Sequence, residues 1–151
     1  MKILSAEISV IVHATEDPAK VSVALRNILP TSLRDEVKIV TQRLKGHHGN
    51  PIEILETELR KRKMIDQFFD YLLEILDGEH LSYLKNNLSR QMDEDGNLYV
   101  RLNKQAAYIG EIRSKEEDPI RIKMKLAGEP ANRKVTADMI KDMIENHEKV
   151  R

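Results

Sequence analysis

Cysteine and tryptophan are absent from this chain of 151 residues, phenylalanine occurs twice and tyrosine four times. Without cysteine there are no disulfides and no thiolate metal sites, and a reducing compartment, the cytoplasm, is the expected setting. With aromatics at 4%, platforms for stacking unpaired bases are few. No apolar run approaches the ~20 residues that a membrane helix needs. The opening residues show no charged segment leading to a small-residue cleavage site, so neither a membrane partner nor export is expected. Glycine-rich phosphate loops, nucleophile elbows and kinase motifs are also missing. The five histidines, at positions 13, 47, 48, 80 and 147, include no pair at the helical spacing of zinc proteases. Nothing in the sequence assembles a catalytic constellation, a metal centre or a cofactor loop. The expectation is a protein that is not an enzyme and carries no cofactor.

What the chain does have is 40% hydrophobic and 33% charged residues. That is enough apolar content to repay chain ordering and enough length for one full core, so residues 1–151 read as a single domain. The net charge is zero, which argues against a polyanion partner until its distribution is read. Lys38–Lys63 carries seven basic and three acidic residues, and Arg101–Lys125 carries seven and four. Met64–Asp95 between them holds eight acidic residues against two basic ones. A neutral total therefore hides a polarised surface if the two basic segments meet.

Periodicity gives the elements. Ala6, Ile8, Val10 and Val12 alternate with Ser5, Glu7 and Ser9 as one strand, and Glu36–Leu44 alternates as a second. Thr15-Glu16-Asp17-Pro18 is a helix start ahead of Val21, Ala24, Leu25 and Ile28. Ile52–Leu59, after the turn residues Gly46–Pro51, reads as a third strand. Ile65, Phe68, Phe69, Leu72, Leu73 and Leu76 repeat at three-four spacing, and Asp77-Gly78 stops that helix. Leu81, Leu84 and Leu88 mark another helix. Strands follow at Asn97–Leu102, Tyr108–Arg113 and Pro119–Leu126; Gly128-Glu129-Pro130 breaks the last, and Met139–Ile144 closes on a helix. The fold class is α+β, a mainly antiparallel sheet with helices on one face, in the order β-α-β-β-α-α-β-β-β-α. From Glu79 onward that order is α-β-β-β-α, as in double-stranded RNA-binding domains, although Arg133-Lys134 only faintly echoes their lysine-rich last helix.

Three segments carry candidate chemistry. Gly46-His47-His48-Gly49 is either a turn whose glycines take positive φ or a loop that meets phosphate through backbone amides, with Lys45 nearby. Its flanking strands exclude the helix-loop-helix setting of a KH domain. Lys104-Gln105-Ala106-Ala107 is either a bulged or helical connection or a contact for a phosphate or base edge. Asp93-Glu94-Asp95-Gly96 lacks the ligand spacing of an EF-hand and reads as a solvated turn. Arg121, Lys123 and Lys125 form a row of cations on the open face of the last strand.

Gly46-His47-His48-Gly49-Asn50-Pro51-Ile52 together with Asn97–Ala107 resembles a family of small archaeal proteins described as predicted RNA-binding proteins or predicted exosome subunits. The similarity runs from His13-Ala14-Thr15-Glu16 through the last strand, with His48 and Asn103 standing where an aromatic residue and an aspartate are more usual. The resemblance implies a fold akin to the double-stranded RNA-binding domain and to a ribosomal protein, and it brings no catalytic residues. The expected function is non-catalytic binding of structured RNA, with an adaptor inside an RNA-processing complex as the alternative. The expected RNA-contacting residues are Lys45, His47, His48, Arg101, Lys104, Gln105, Arg113, Lys123 and Lys125, provided that they converge on one surface.

Overall fold

Period-two alternation builds the sheet. In the computed structural model, which describes residues 3–76, 78–127 and 133–150, five strands form: β1 (Ile3–Val12), β2 (Val40–Lys45), β3 (Pro51–Leu59), β4 (Asn97–Leu102) and β5 (Ile120–Leu126). They lie in the order β2-β3-β1-β5-β4, and every pairing is antiparallel. Ala6, Ile8 and Val10 align with Leu59, Thr57 and Leu55 on one side, and Ala6 and Ile8 align with Met124 and Ile122 on the other. This row is buried. Ser5, Glu7 and Ser9 align with Lys125, Lys123 and Arg121 on the opposite, open face. A register shift between Ile3 and Ser5 turns Ile3 back into the core.

Among the described residues seven α-helices accompany the sheet: α1 (Pro18–Asn27), α2 (Thr31–Arg34), α3 (Arg62–Ile75), α4 (Gly78–Asn86), α5 (Leu88–Gln91), α6 (Lys104–Tyr108) and α7 (Arg133–Val150). At the start of α1 the Asp17 side chain accepts from the Ala19 N–H, and Pro18 occupies the first turn, where its missing N–H costs nothing. The stripe of α3 does what its spacing demands: Ile65, Phe68, Phe69, Leu72 and Leu73 are all buried in one cluster with Ile8, Val10, Ile122 and Met124. Ile140 and Ile144 of α7 close the same cluster.

The α+β class, the antiparallel pairing and the packing of helices on one face are as the sequence predicts, and three segments differ. β2 begins at Val40 rather than Glu36, because the Glu36 and Val37 N–H groups still bond to the Leu33 carbonyl and finish the turn after α2. The helix marked by Leu81, Leu84 and Leu88 is two helices, divided at Asn87 (φ −123°). Tyr108–Arg113 is not a strand. Tyr108 ends α6, and the chain returns along β4 as a loop, touching it through a single bridge between Leu102 and Ser114, made by the Asn103 N–H to Arg113 carbonyl and Lys115 N–H to Arg101 carbonyl bonds. The α-β-β-β-α order expected from Glu79 onward is therefore short of one strand. Asp77, the Gly128-Glu129-Pro130 break, and the side chains of His47, Arg133 and Lys134 lie outside the described residues.

Phe69 lies wholly inside the cluster. Phe69→Ala should lower unfolding free energy by about 3–5 kcal/mol, read by urea denaturation; a loss below about 1 kcal/mol would contradict its place in the core.

Candidate nucleic-acid interface

A strand with one face in the core must send alternate side chains to the other face, and here that face lies open. On β5 these are Arg121, Lys123 and Lys125, which by strand geometry span roughly 13 Å. β4 adds Arg101, opposite Arg121, and Tyr99, opposite Lys123. Two guanidinium groups approach the Tyr99 ring, that of Arg101 at 5.4 Å from its centroid and that of Arg121 at 5.5 Å, so the quadrupole of the ring attracts both cations. Lys123 and Lys125 have no ion pair among the described residues, and both line an open hollow of about 820 Å³ with Ser5, Glu7, Asp95 and Asn97.

The Asp93-Glu94-Asp95-Gly96 turn sets this platform. Asp93 accepts from the Asp95 and Asn97 backbone N–H groups, from Asn97 Nδ2 (3.0 Å) and from the Tyr99 hydroxyl (2.8 Å). Burial opposes its ionisation, but the bonds from Asn97, Tyr99 and Asp95 outweigh that and hold its pKa at about 2. Burial and the bond to Asp93 in turn push the Tyr99 phenol up, against the pull of Arg121 and Arg101. A turn that reads as merely solvated in the sequence is thus the anchor of the only aromatic ring among the open-face positions of β1, β3, β4 and β5.

Beside the cations runs an acidic ridge on the two neighbouring strands. Glu7 stands opposite both Lys123 and Glu58, and Glu56 lies opposite Ser9. Partial burial and the repulsion of Glu7 and Glu58 raise the Glu56 pKa, with Arg121 and Lys123 working the other way. A phosphate chain on this face is attracted to β4 and β5 and repelled from β1 and β3.

The other expected RNA-facing residues do not join this strip. Lys45 ends β2 at the hairpin and shares its face with Arg43, the face opposite that of Lys123. His48 sits exposed at the hairpin tip with φ 64°. Gly46-His47-His48-Gly49 is a tight closure. The Gly46 N–H bonds to the Asn50 carbonyl and the Gly49 N–H to the Gly46 carbonyl, so these two amides are spent within the loop. A Cβ on Gly46 would lie 3.0 Å from Ile52, and Gly49 has φ +79°, which explains both glycines structurally. Arg113 is exposed and pairs with Glu111 at 3.0 Å. Gln105 is exposed on α6, beside a groove shared with Glu16, Asp17, Lys20 and Tyr108.

Lys104 differs most from expectation. It is 2% exposed, and its ammonium reaches the Ile11 carbonyl (2.9 Å), Glu16 Oε1 (3.0 Å) and Asp118 Oδ2 (2.8 Å). Three donors meet three acceptors, which leaves none for a phosphate. His13 Nε2 lies 2.9 Å from Asp118 Oδ1, and burial of Asp118 is outweighed by its bonds from Lys104 and His13, so its pKa is lowered. His13, Glu16 and Asp118 are close enough together to ligate an ion, yet the Lys104 ammonium already supplies the positive charge between the two carboxylates. Arg121 and Tyr99, absent from the expected set, share the face of Lys123 and Lys125; the alternation of Ile120–Leu126 and Asn97–Leu102 was the signal for both.

Comparison with known proteins adds the family. Residues 5–126 match the model of a protein family described as RNA binding. The RNA-binding protein PAB1135 of Pyrococcus abyssi is 31% identical over 139 residues, covering 91% of this chain and 90% of its own. Among solved structures, protein AF2318 from Archaeglobus fulgidus superimposes with a TM-score of 0.82 at 37% identity, covering 93% of this chain and 99% of its own. Mth689 of Methanothermobacter thermautotrophicus does so with a TM-score of 0.77 at 31% identity, covering 95% and 99%. Both are DUF54 proteins.

Two measurements check this geometry. Lys104→Ala should cost about 3 kcal/mol in a denaturant titration, below the upper end for a broken buried pair because Glu16 and Asp118 keep partial access to water. The Asp93 pKa is lowered on folding, so its stabilisation is complete above pH 3.8, its ordinary value, and is lost as pH falls through about 2. Acid unfolding followed by circular dichroism should show that loss in the natural chain, and Asp93→Asn should remove the component.

Proposed function

The chain belongs to this RNA-binding family, and from that premise we propose that it holds structured RNA, without cutting it, on the open face of its sheet over β4 and β5. The observation that carries this reading is the row of Arg101, Arg121, Lys123 and Lys125 on one uncovered face, with the two lysines free of ion pairs among the described residues. Cations presented on a rigid strand are positioned to displace counterions from a phosphate backbone. The acidic ridge of Glu7, Glu56 and Glu58 confines that backbone to the two strands at one side of the sheet. Tyr99 is half-buried and already approached by two guanidinium groups, so splayed-out bases find little stacking surface. That favours folded or duplex RNA, read through phosphates and shape, over an unpaired strand.

Chemistry on the bound RNA has no support in this face. Over β4 and β5 it carries no histidine, the Tyr99 hydroxyl is held by Asp93, a carboxylate too weakly basic at its lowered pKa to activate it, and the one cluster of candidate metal ligands among the described residues surrounds Lys104 on another part of the molecule. A place in an RNA-processing assembly fits a non-catalytic RNA holder, and the cytoplasm fits a chain without cysteine.

Binding of a fluorescent RNA hairpin should weaken log-linearly as salt rises. Lys123→Ala with Lys125→Ala should flatten the slope by roughly 0.7–0.9 for each phosphate that is no longer neutralised and weaken unrelated duplexes about equally. The melting temperature of the double variant should stay that of the natural chain. Gln105→Ala and Arg113→Ala, which lie off this strip, should change binding little. Salt-insensitive binding, or an unaffected double variant, would remove the open face from consideration.

A further inference from the structure

The two edges of the sheet are unlike. β4 is partly covered, by single bridges to Met92 and Ser114, the latter including the Lys115 N–H to Arg101 carbonyl bond. β2 is bare, with all six of its residues exposed. It contains no proline and its pairing with β3 shows no bulge, so it lacks two of the usual devices that blunt an edge. Val40 and Leu44, 58% and 41% exposed, sit on the open face beside Ile52, Ile54 and Ile11, an apolar end to a face that is otherwise charged.

We propose that β2 pairs antiparallel with β2 of a second copy of this chain, making one continuous sheet across a two-fold axis. The hairpin settles which backbone groups are available. The Gly46 N–H bonds back to Asn50, so by strand alternation Leu44, Gln42 and Val40 spend their N–H and C=O groups on β3. Thr41, Arg43 and Lys45 point theirs outward, and no bond to them from outside β3 exists among the described residues. A symmetric pair must join these outward groups, and only two registers then keep five residues of β2 paired. One sets Arg43 against Arg43 on the axis. The other sets Gln42 against Gln42, Thr41 against Arg43, and Val40 against Leu44 of the second copy, twice over. The second register pairs apolar with apolar and keeps like charges from standing directly opposite, while each Arg43 retains its own Glu53 at 3.6 Å. It is self-complementary, as an isologous interface requires. This inference is independent of the RNA reading, since Lys123 and Lys125 lie three strands away.

Sedimentation equilibrium of the full chain should give twice the 17.4 kDa chain mass. Thr41→Pro removes an outward N–H that β3 does not use, so it should yield a monomer with unchanged circular dichroism. The chain has no cysteine of its own, which makes single replacements a register gauge. In the favoured register Gln42 forms a non-hydrogen-bonded pair with Cα atoms about 4.5 Å apart, within disulfide range. Gln42→Cys should therefore cross-link under mild oxidation, and Arg43→Cys should cross-link far less. A monomeric natural chain, a dimer that a folded Thr41→Pro variant leaves intact, or cross-linking through position 43 in preference to 42 would each overturn the proposal.

Discussion

One buried ammonium organises the far end of this molecule. An amine removed from water must find acceptors for all its protons, and Lys104 finds them on three separate stretches of chain: the end of β1 at Ile11, the approach to α1 at Glu16, and the approach to β5 at Asp118. That demand pulls residues 104–108 against α1, where Asn103 caps the turn by accepting from the Ala106 N–H. Asn27 Nδ2 donates to the Ala107 carbonyl from the other side. The chain is then unable to run straight on as a sixth strand. The blocks Asn103–Ala107 and His13–Glu16, far apart in sequence, are two halves of this one ionic joint.

The joint leaves the sheet with five strands and one uncovered face, and cross-strand register decides the field on it. Lys123 stands between Glu7 and Tyr99, and Glu7 between Lys123 and Glu58. A chain with zero net charge thereby presents a cationic border next to an acidic one, each a strand or two wide. The neutral total is a sum over a polarised surface. Asp93 contributes from below the sheet's end: by fixing the Tyr99 hydroxyl it fixes the ring on which Arg101 and Arg121 rest, so the cations are held in place before any ligand arrives.

The bare strand at the opposite side gives the sheet a second character. All six residues of β2 are exposed among the described residues, and its apolar residues share the open side with the charged strips. Nucleic-acid contact and self-association would thus use the same face at different strands, separated by the acidic ridge.

Much of this was legible in the residues alone. Local periodicity specifies strands β1, β3, β4 and β5, the stripe of α3, and the shared face of Lys123 and Lys125, because a side chain's face follows from its own backbone geometry. The same rule held Arg121 and Tyr99 in view. Only tertiary structure could decide the rest. Tyr108–Arg113 has a passable strand pattern, and what overrules it is an ion cluster assembled from residues far apart along the chain. Lys104 looks like a free cation in sequence because burial depends on what folds over it. Lys45 and Arg113, as basic as Lys123, project elsewhere, since convergence of distant cations is set by strand order and not by spacing along the chain. The Asp93 turn has the composition of a solvated loop, and it becomes an anchor only when antiparallel pairing of β4 with β5 brings Tyr99 above it and Arg121 alongside.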